Sequence, residues 1–150
     1  MAQDKNNVSE YLTFCVNNVT FAINSLYIDS VTSQQDITKI PGKDDCIDGI
    51  MYLRGTTITV VNLRKYLFNI EDNNDNQQFY VICKLNDKHI AFKVDSVSSI
   101  IRVNNNDICP VDSLIINRCY MLDGFITDSN KKITEILDVK HIMFKYNNEM

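Results

Sequence analysis

The sequence predicts a mainly β fold, in which two related five-stranded units, each closed by a short helix, make up one domain over 1–150. Short apolar runs separated by turn residues recur along the 150-residue chain, five before and five after a polar stretch at 69–78. The landmarks of the first five runs return in the same order among the second five. Evenly spaced short strands are typical of β-barrels and sandwiches, and a repeated order indicates an internal duplication.

The first unit covers about 11–68, and its five strand-like runs read "YLTFCV", "VTFAI", "YIDSVT", "GIMYL" and "TITVV". The stretch "NIEDNNDNQQ" that follows has no apolar periodicity, so it predicts a long surface loop. The second unit covers about 78–144, and its runs read "FYVICKL", "HIAFKV", "VSSIIRV", "CYMLDGFIT" and "KITEIL". The pattern leaves open an exchange of strands between the two units.

The duplication rests on matched segments that include "VNNVTFAI" with "LNDKHIAF", "DSV" at 29–31 with 95–97, "IDGIMYL" with "LDGFITD", and "NLRKYLF" with "DVKHIMF". Asn62 and Asp138 each follow a strand-like run and precede an amphipathic segment. Their side chains are predicted to accept hydrogen bonds from the free amides of a helix's first turn. Gly49 and Gly124 follow an Asp at the start of a run, where glycine permits a positive φ or a close backbone approach.

Composition and motifs argue against several classes of function. A net charge of −4 disfavours a nucleic-acid partner, and no apolar run approaches the ~20 residues that a membrane span needs. The opening residues lack the apolar core of a secretory signal. Five cysteines without a CxxC spacing fit neither a disulfide framework nor a zinc site. No phosphate loop, HExxH motif or nucleophile–base arrangement is visible. We therefore expect no catalytic residues, no metal and no cofactor.

The stretch "DGIMYLRGTTITVVNLRKYLF" resembles the signature of the CheW-like chemotaxis adaptor domain. That signature has a strand ending in Asn-Leu-Arg-Gly, an apolar strand with Pro-Val, and then Asp-Leu-Arg. The segments "AFKVDSVSSII" and "ITKIPG" are also similar to family motifs, and the resemblance covers about 11–144. The chain departs from the pattern at Ser30, Thr59 and Asn62, where Glu, Pro and Asp are usual in the family.

The resemblance implies two interlocked five-stranded β-barrels with a hydrophobic core between them, and no catalysis. It implies a cytoplasmic adaptor that is recruited to membrane receptor arrays without inserting into the membrane. Its partners would be the cytoplasmic tip of methyl-accepting chemoreceptors and the regulatory domain of a chemotaxis histidine kinase, which has the same fold. The alternative is a regulatory or small-molecule-sensing interaction module of that fold.

The resemblance also implies two docking sites. The receptor-binding groove would contain Arg54 together with Ile28, Val97, Ile100 and Gly124, with Gly49 shaping its edge. The kinase-binding site would lie on the first unit and contain Ile28, Ser30 and Val31. For the aliphatic residues, core packing is the competing interpretation. For Arg54 the competing interpretation is a local structural pin, such as an ion pair with Asp48.

Overall fold

The computed structural model describes residues 7–33, 35–41, 44–71, 78–113, 118 and 121–147. The mainly β prediction is confirmed. The strands are β1 (Val8–Val16), β2 (Val19–Asn24), β3 (Ile28–Ser33), β4 (Ile47–Leu53), β5 (Thr56–Asn62), β6 (Phe79–Leu85), β7 (Lys88–Val94), β8 (Ser96–Asn104), β9 (Leu122–Thr127) and β10 (Ile133–Leu137). Helix α1 is Val139–Asn147, a π-helical turn spans Arg64–Phe68, and 3₁₀ turns span Ser25–Tyr27, Asn105–Asp107 and Val111–Ser113. Residues 72–77 of the predicted loop lie outside the described residues, as do 119 and 120 at the start of the ninth predicted run.

The strands form two five-stranded sheets, with orders β8-β1-β2-β10-β9 in the first sheet and β3-β6-β7-β5-β4 in the second. Each sheet therefore takes the leading hairpin of one half of the chain and three strands of the other half. The two orders become identical when each strand is replaced by its counterpart in the other half of the chain, β1 by β6, β2 by β7, and so on. We call two residues equivalent when they hold the same place in the ladders after this exchange.

The expectation of two interlocked barrels is not met, because neither sheet closes on itself among the described residues. Closure of the second sheet would require β3 to pair with β4. The outer edge of β4 is instead bonded by the preceding segment, where Thr38 exchanges backbone hydrogen bonds of 2.8 and 2.9 Å with Ile50. Cys109 does the same to Phe125 of β9, at 2.8 and 3.0 Å. The segments that link β3 to β4 and β8 to β9 are hereafter called the linking segments. Each of them thus bonds to the backbone groups through which the edge strands would have to pair to close a barrel.

The ladder registers correct one part of the repeat alignment. Ile28 of β3 faces Cys83, and Val97 of β8 faces Phe14, which holds the place equivalent to Cys83. Ile28 is therefore equivalent to Val97, and the match of "DSV" at 29–31 with "DSV" at 95–97 is wrong. A bulge follows the first of these pairs in each edge strand. Because both strands share the bulge, it does not disturb the match of the two halves, which continues without a gap from 16–23 and 85–92.

The core has three parts. The largest cluster lies between the two sheets and contains Phe14, Phe21 and Phe92 among others. Each sheet also buries its opposite face, around Tyr11, Ala22, Val103 and Ile136 in the first sheet and around Met51, Tyr80, Ile82 and Ala91 in the second. Strands buried on both faces need apolar residues at consecutive positions. This explains why the predicted runs are continuous rather than alternating.

Two bidentate arginine–carboxylate pairs join segments that are distant in sequence. Arg118 binds Glu135 through two hydrogen bonds of 2.7 and 2.6 Å, and its guanidinium lies 4.7 Å from the ring centre of Phe68. Arg64, after β5, makes two 3.1 Å hydrogen bonds to Asp95, which also accepts the backbone N–H of Asn17. The second pair links the π-helical turn to the β1–β2 hairpin of the other sheet. Two-pronged arginine–carboxylate pairs of this kind fix orientation as well as supplying energy.

Both predicted helix caps are confirmed. Asn62 Oδ1 accepts the backbone N–H groups of Arg64 and Lys65, at 3.0 and 3.4 Å. Asp138 Oδ1 accepts the backbone N–H of His141 at 3.0 Å. The first capped element is only a short π-helical turn, since Asn69 ends it in a left-handed conformation with φ 55°. Equivalent caps therefore start elements of different length.

Candidate docking surface

Arg54 lies at the tip of the β4–β5 hairpin. Arg54 and Gly55 alone connect the two strands, with φ of 51° and 79°. Two positive φ values are the signature of a type I′ turn, which normally carries Asn, Asp or Gly because other side chains resist this conformation. The left-handed conformation costs a residue such as arginine roughly 1 kcal/mol or more. The Arg54 side chain is exposed to solvent.

The interpretation of Arg54 as a local pin on Asp48 is wrong. The Asp48 carboxylate is in ion-pair contact with Lys93 and also lies 3.4 Å from the amide nitrogen of Asn62. Over the described ranges, no carboxylate lies within ion-pair distance of Arg54. The guanidinium is exposed to solvent and makes no ion pair with the part of the chain that the structure describes.

The equivalent hairpin, β9–β10, has a different tip. A five-residue loop, 128–132, replaces the two-residue turn. Asp128 Oδ1 organises this loop by accepting the backbone N–H groups of Asn130 and Lys132, each at 2.9 Å. Lys131 takes the positive φ, at 62°. The shared framework therefore does not require an arginine at the tip, which removes an architectural explanation for Arg54.

Gly49 and Gly124 are architectural in both halves. A Cβ on Gly49 would lie 2.1 Å from the carbonyl oxygen of Thr38, and the residue has φ 146°. A Cβ on Gly124 would lie 2.8 Å from the carbonyl oxygen of Cys109. Both glycines thus allow the linking segment to reach the edge strand, which is the close approach that the sequence predicted. Their place in a docking groove stays a prediction.

The predicted aliphatic contacts form two equivalent pairs on the edge strands β3 and β8. Ile28 and Val97 are half-buried and pack against the core between the sheets. Val31 faces Val81, and Ile100 faces the equivalent Leu12. These two side chains are exposed, at 43% and 61% respectively. Each edge strand thus presents one anchored and one exposed aliphatic residue, so core packing and surface contact both occur.

Ser30 lies between Ile28 and Val31 on β3 and faces Ile82. Its hydroxyl oxygen is buried, and no hydrogen-bond partner is present among the described residues. The hydroxyl of the equivalent Ser99 has a partner, because it lies 3.3 Å from the Thr13 hydroxyl. Ser30 and the exposed Val31 therefore differ in burial, and the three predicted kinase contacts do not form one uniform exposed patch.

Burial makes two of the described thiols, those of Cys46 and Cys83, poor nucleophiles. Burial raises the pKa of Cys46 to about 11, and the nearby Asp44 carboxylate adds to the effect. Burial also raises the pKa of the Cys83 thiol. The thiolate is the reactive form, so neither side chain suits nucleophilic catalysis at neutral pH. In the part of the chain that the structure describes, no group of three His, Cys, Asp or Glu side chains is placed to hold a metal ion.

A polar cleft of about 610 Å³ opens beside Asp48 and Lys93. Lys65 lies on its wall, 3.8 Å from Asp45 and 3.7 Å from Glu71. Small-molecule pockets are mostly apolar with a few polar groups, whereas this cleft is lined mostly by charged side chains, five of which are in ion pairs with one another. It does not favour the alternative of a small-molecule sensor. None of the described helices has the length and apolar character needed to cross a bilayer.

Tyr52, which precedes Arg54 by two residues, is a candidate docking residue that the family motifs do not single out. Its neighbours Met51 and Leu53 pack into the second sheet's own core, while Tyr52 is 64% exposed. Alternation along the segment "MYLRG" predicts this outward position once β4 is identified as a strand with one face buried. The sequence alone therefore indicates a large exposed aromatic side chain two residues before Arg54.

Known proteins resemble this chain over most of its length. The model of the CheW-like domain matches residues 10–145. The chain is 26% identical over 144 residues to "Chemotaxis protein CheW" of Helicobacter pylori, covering 95% of this chain and 86% of that protein. It is 29% identical over 99 residues to the Thermotoga maritima protein of the same name, covering 66% and 65%. The crystal structure of scaffolding protein TtCheW from Thermoanaerobacter tengcongensis has a TM-score of 0.78, covering 87% of this chain and 84% of that chain at 23% identity. That likeness concerns the fold.

Proposed function

The chain belongs to the CheW-like domain family, and on this premise we propose that it is a non-catalytic adaptor that couples transmembrane chemoreceptors to a histidine autokinase. The relatives' names support a role in chemotaxis, and the fold is shared with a scaffolding protein. The observation that carries the proposal is Arg54, an exposed guanidinium on a turn that Asn or Gly would form more easily. A residue kept at a conformational cost is a candidate for function.

For the receptor, the proposal places the helical tip of the cytoplasmic domain against the β4–β5 hairpin and β8. Arg54 would donate to carboxylate or carbonyl oxygens of the tip, for which its rigid fork is suited. Ile100 would supply an exposed apolar contact, with Val97 and Ile28 at the rim of the core behind it. Amphipathic helices commonly bind through such a combination of apolar anchors and polar contacts.

For the kinase, the proposal places the regulatory domain on β3. Val31 is the exposed aliphatic residue of this strand, next to the half-buried Ile28 and Ser30. Because the Ser30 hydroxyl is buried, the glutamate that is usual in the family would not fit here without rearrangement. The chain would thus meet its kinase through an apolar contact at Val31 rather than through a charge at position 30.

The adaptor would work in the cytoplasm, at arrays of membrane-embedded receptors, without catalysis, cofactors, nucleic acid or insertion into the membrane. Its net charge of −4 agrees with a protein partner rather than a nucleic-acid partner. Its role in the complex would be to bring two partners together on one rigid scaffold of two packed sheets.

The equivalent residues Val31 and Ile100 provide a matched experiment. Val31→Ser and Ile100→Ser each remove an exposed aliphatic side chain from an equivalent edge position, so each variant is the control for the other. We expect Val31→Ser to weaken binding of the kinase regulatory domain and Ile100→Ser to weaken binding of the receptor tip, by isothermal titration calorimetry. If wild-type protein binds neither partner, or both variants bind both partners like wild type, the proposed adaptor sites are wrong.

A further inference from the structure

We propose that Tyr52 is a partner-selecting residue, which together with Arg54 forms a two-point docking site for a helix carrying an apolar side chain one turn from a carboxylate. This inference rests on the proposed receptor docking at Arg54 and adds the chemistry of the partner. The pair Tyr52 and Arg54 is hereafter called the tip pair. It lies at the end of the β4–β5 hairpin, where β4 is the last strand of its sheet.

The exposure of Tyr52 has no architectural cause. The ring is 64% exposed, and Tyr52 faces Thr57 across the hairpin, whose side chain is also exposed. The equivalent of Tyr52 in the other half is Thr127, which faces Ile133. The framework therefore accepts a small polar residue at this place, and the aromatic ring at position 52 is not required for the fold.

The chemistry of the tip pair is that of a binding hot spot. Tyrosine and arginine are enriched among the residues that dominate interface energies, because tyrosine buries a large rigid area and arginine makes several directed hydrogen bonds. Over the described ranges, no aromatic ring or cation packs on the Tyr52 ring. The ring face and the guanidinium are thus both available to a partner.

The spacing of the tip pair selects a helical partner. Arg54 lies in the turn just beyond β4, and two residues of backbone span at most about 7 Å. On an α-helix, residues four apart are separated by about 6 Å along the axis and lie on one face. A helix with an apolar residue at one position and a carboxylate four residues away would therefore meet Tyr52 and Arg54 together. Electrostatic attraction would orient this helix, and burial of the ring would strengthen the complex.

The test titrates the full chain with a soluble fragment of a chemoreceptor's cytoplasmic helical hairpin, at low and at high ionic strength. Tyr52→Thr introduces the equivalent residue Thr127 and should lower affinity about tenfold or more at both ionic strengths. Tyr52→Phe should retain affinity. The Arg54→Ala variant should lose most at low ionic strength, because salt screens the contribution of exposed charges. Ile133→Thr removes an exposed aliphatic side chain from the equivalent hairpin and should bind like wild type.

The outcomes separate this inference from the function on which it rests. If Arg54→Ala weakens binding but the affinity of Tyr52→Thr stays within twofold of wild type, the proposed role of the tip pair is wrong and the adaptor function stands. Equal losses for Tyr52→Phe and Tyr52→Thr would also overturn it, because the ring face would not be the contact. If the wild-type chain does not bind the fragment, the proposed function itself fails. Unchanged denaturation midpoints for all four variants ensure that the affinities report binding.

Discussion

The β4–β5 and β9–β10 hairpins hold equivalent places in the two sheets and differ mainly at their tips. Each has a glycine that admits a linking segment, Gly49 or Gly124, and each ends in a helix cap, Asn62 or Asp138. The tips share nothing, since one is a two-residue turn bearing Arg54 and the other is a five-residue loop. Features present twice are those that the fold needs, and features present once are free to serve binding.

Behind the tips, the two hairpins also differ in electrostatics. Asp48 is paired with Lys93 beside Asn62. The equivalent Asp123 lies near Asp138, while Asn24 holds the place equivalent to Lys93. Burial, followed by the charge of Asp138, raises the pKa of Asp123, and Lys140 partly offsets this. The first half therefore neutralises its carboxylate internally, whereas the second half places two carboxylates together.

The largest effect is expected at the shared glycines. Gly49→Ala should lower the free energy of unfolding by about 3–5 kcal/mol, because the new Cβ meets a backbone carbonyl and the residue must keep a positive φ. Gly124→Ala should lower it by only about 1–3 kcal/mol, because part of its crowding comes from the Ile108 side chain, which can move. Chemical denaturation of both variants measures the difference. Equal losses would contradict this account of the two close approaches.

The next effect concerns the ion pair that only one hairpin has. Lys93→Asn introduces the equivalent residue Asn24 and leaves Asp48 without its ammonium group in a largely buried place. Breaking one side of a buried pair costs about 3–5 kcal/mol. We expect a loss near the lower end of this range, because Asn62 still lies beside Asp48. A loss below about 1 kcal/mol, measured by urea denaturation at pH 7, would show that the pair behaves like a surface pair.

A smaller effect of the opposite sign is expected at Ser30. Its buried hydroxyl has no partner among the described residues, whereas the Ser99 hydroxyl lies 3.3 Å from the Thr13 hydroxyl. Ser30→Ala should raise the free energy of unfolding by about 1 kcal/mol, because an unsatisfied buried hydroxyl is removed. Ser99→Ala is the control and should not stabilise. If thermal melting shows that Ser30→Ala destabilises the protein, the hydroxyl has a partner in solution, such as an ordered water.

The smallest effect is a pH dependence from the two carboxylates. Because the folded protein raises the pKa of Asp123 above its ordinary value of 3.8, this group stabilises the fold below that pH. The contribution is lost as pH rises through the raised pKa. Asp123→Asn should therefore be more stable than wild type at pH 7, by no more than about 1 kcal/mol since the group is exposed. The difference should vanish below about pH 4, and a constant difference across this range would exclude the mechanism.

Local features of this fold could be predicted from the sequence, and long-range features could not. The strand runs, the caps at Asn62 and Asp138 and the close approaches at both glycines follow from a few neighbouring residues. The exchange of strands between sheets depends on which distant strands pair. The "DSV" match is wrong by three residues, because the ladders continue the match of 16–23 with 85–92 without a gap and both edge strands carry their bulge at the same place. The occupied edges of β4 and β9 depend on linking segments whose sequences carry no strand pattern.

The geometry of the proposed docking residues was predictable to a similar degree. The sequence showed that Arg54 has no equivalent in the second half, and family resemblance supplied the groove. The left-handed turn at Arg54 was not predicted. A two-residue connection that joins two apolar runs and ends in Gly does, however, indicate a type I′ turn. The different exposures of Ile28 and Val31 depend on the bulge between them and on the core behind β3, which only the packed sheets define.

The central claim is that Arg54 serves docking and not the fold, and Arg54→Asn tests it most directly. Asparagine is the residue that a type I′ turn prefers, so the denaturation midpoint should stay the same or rise slightly. Affinity for the receptor tip should fall by about 2–5 kcal/mol, because a charged hydrogen-bond donor is lost from the interface. The measurement pairs the midpoint with the affinity for one protein preparation. A lower midpoint with unchanged affinity would contradict the claim.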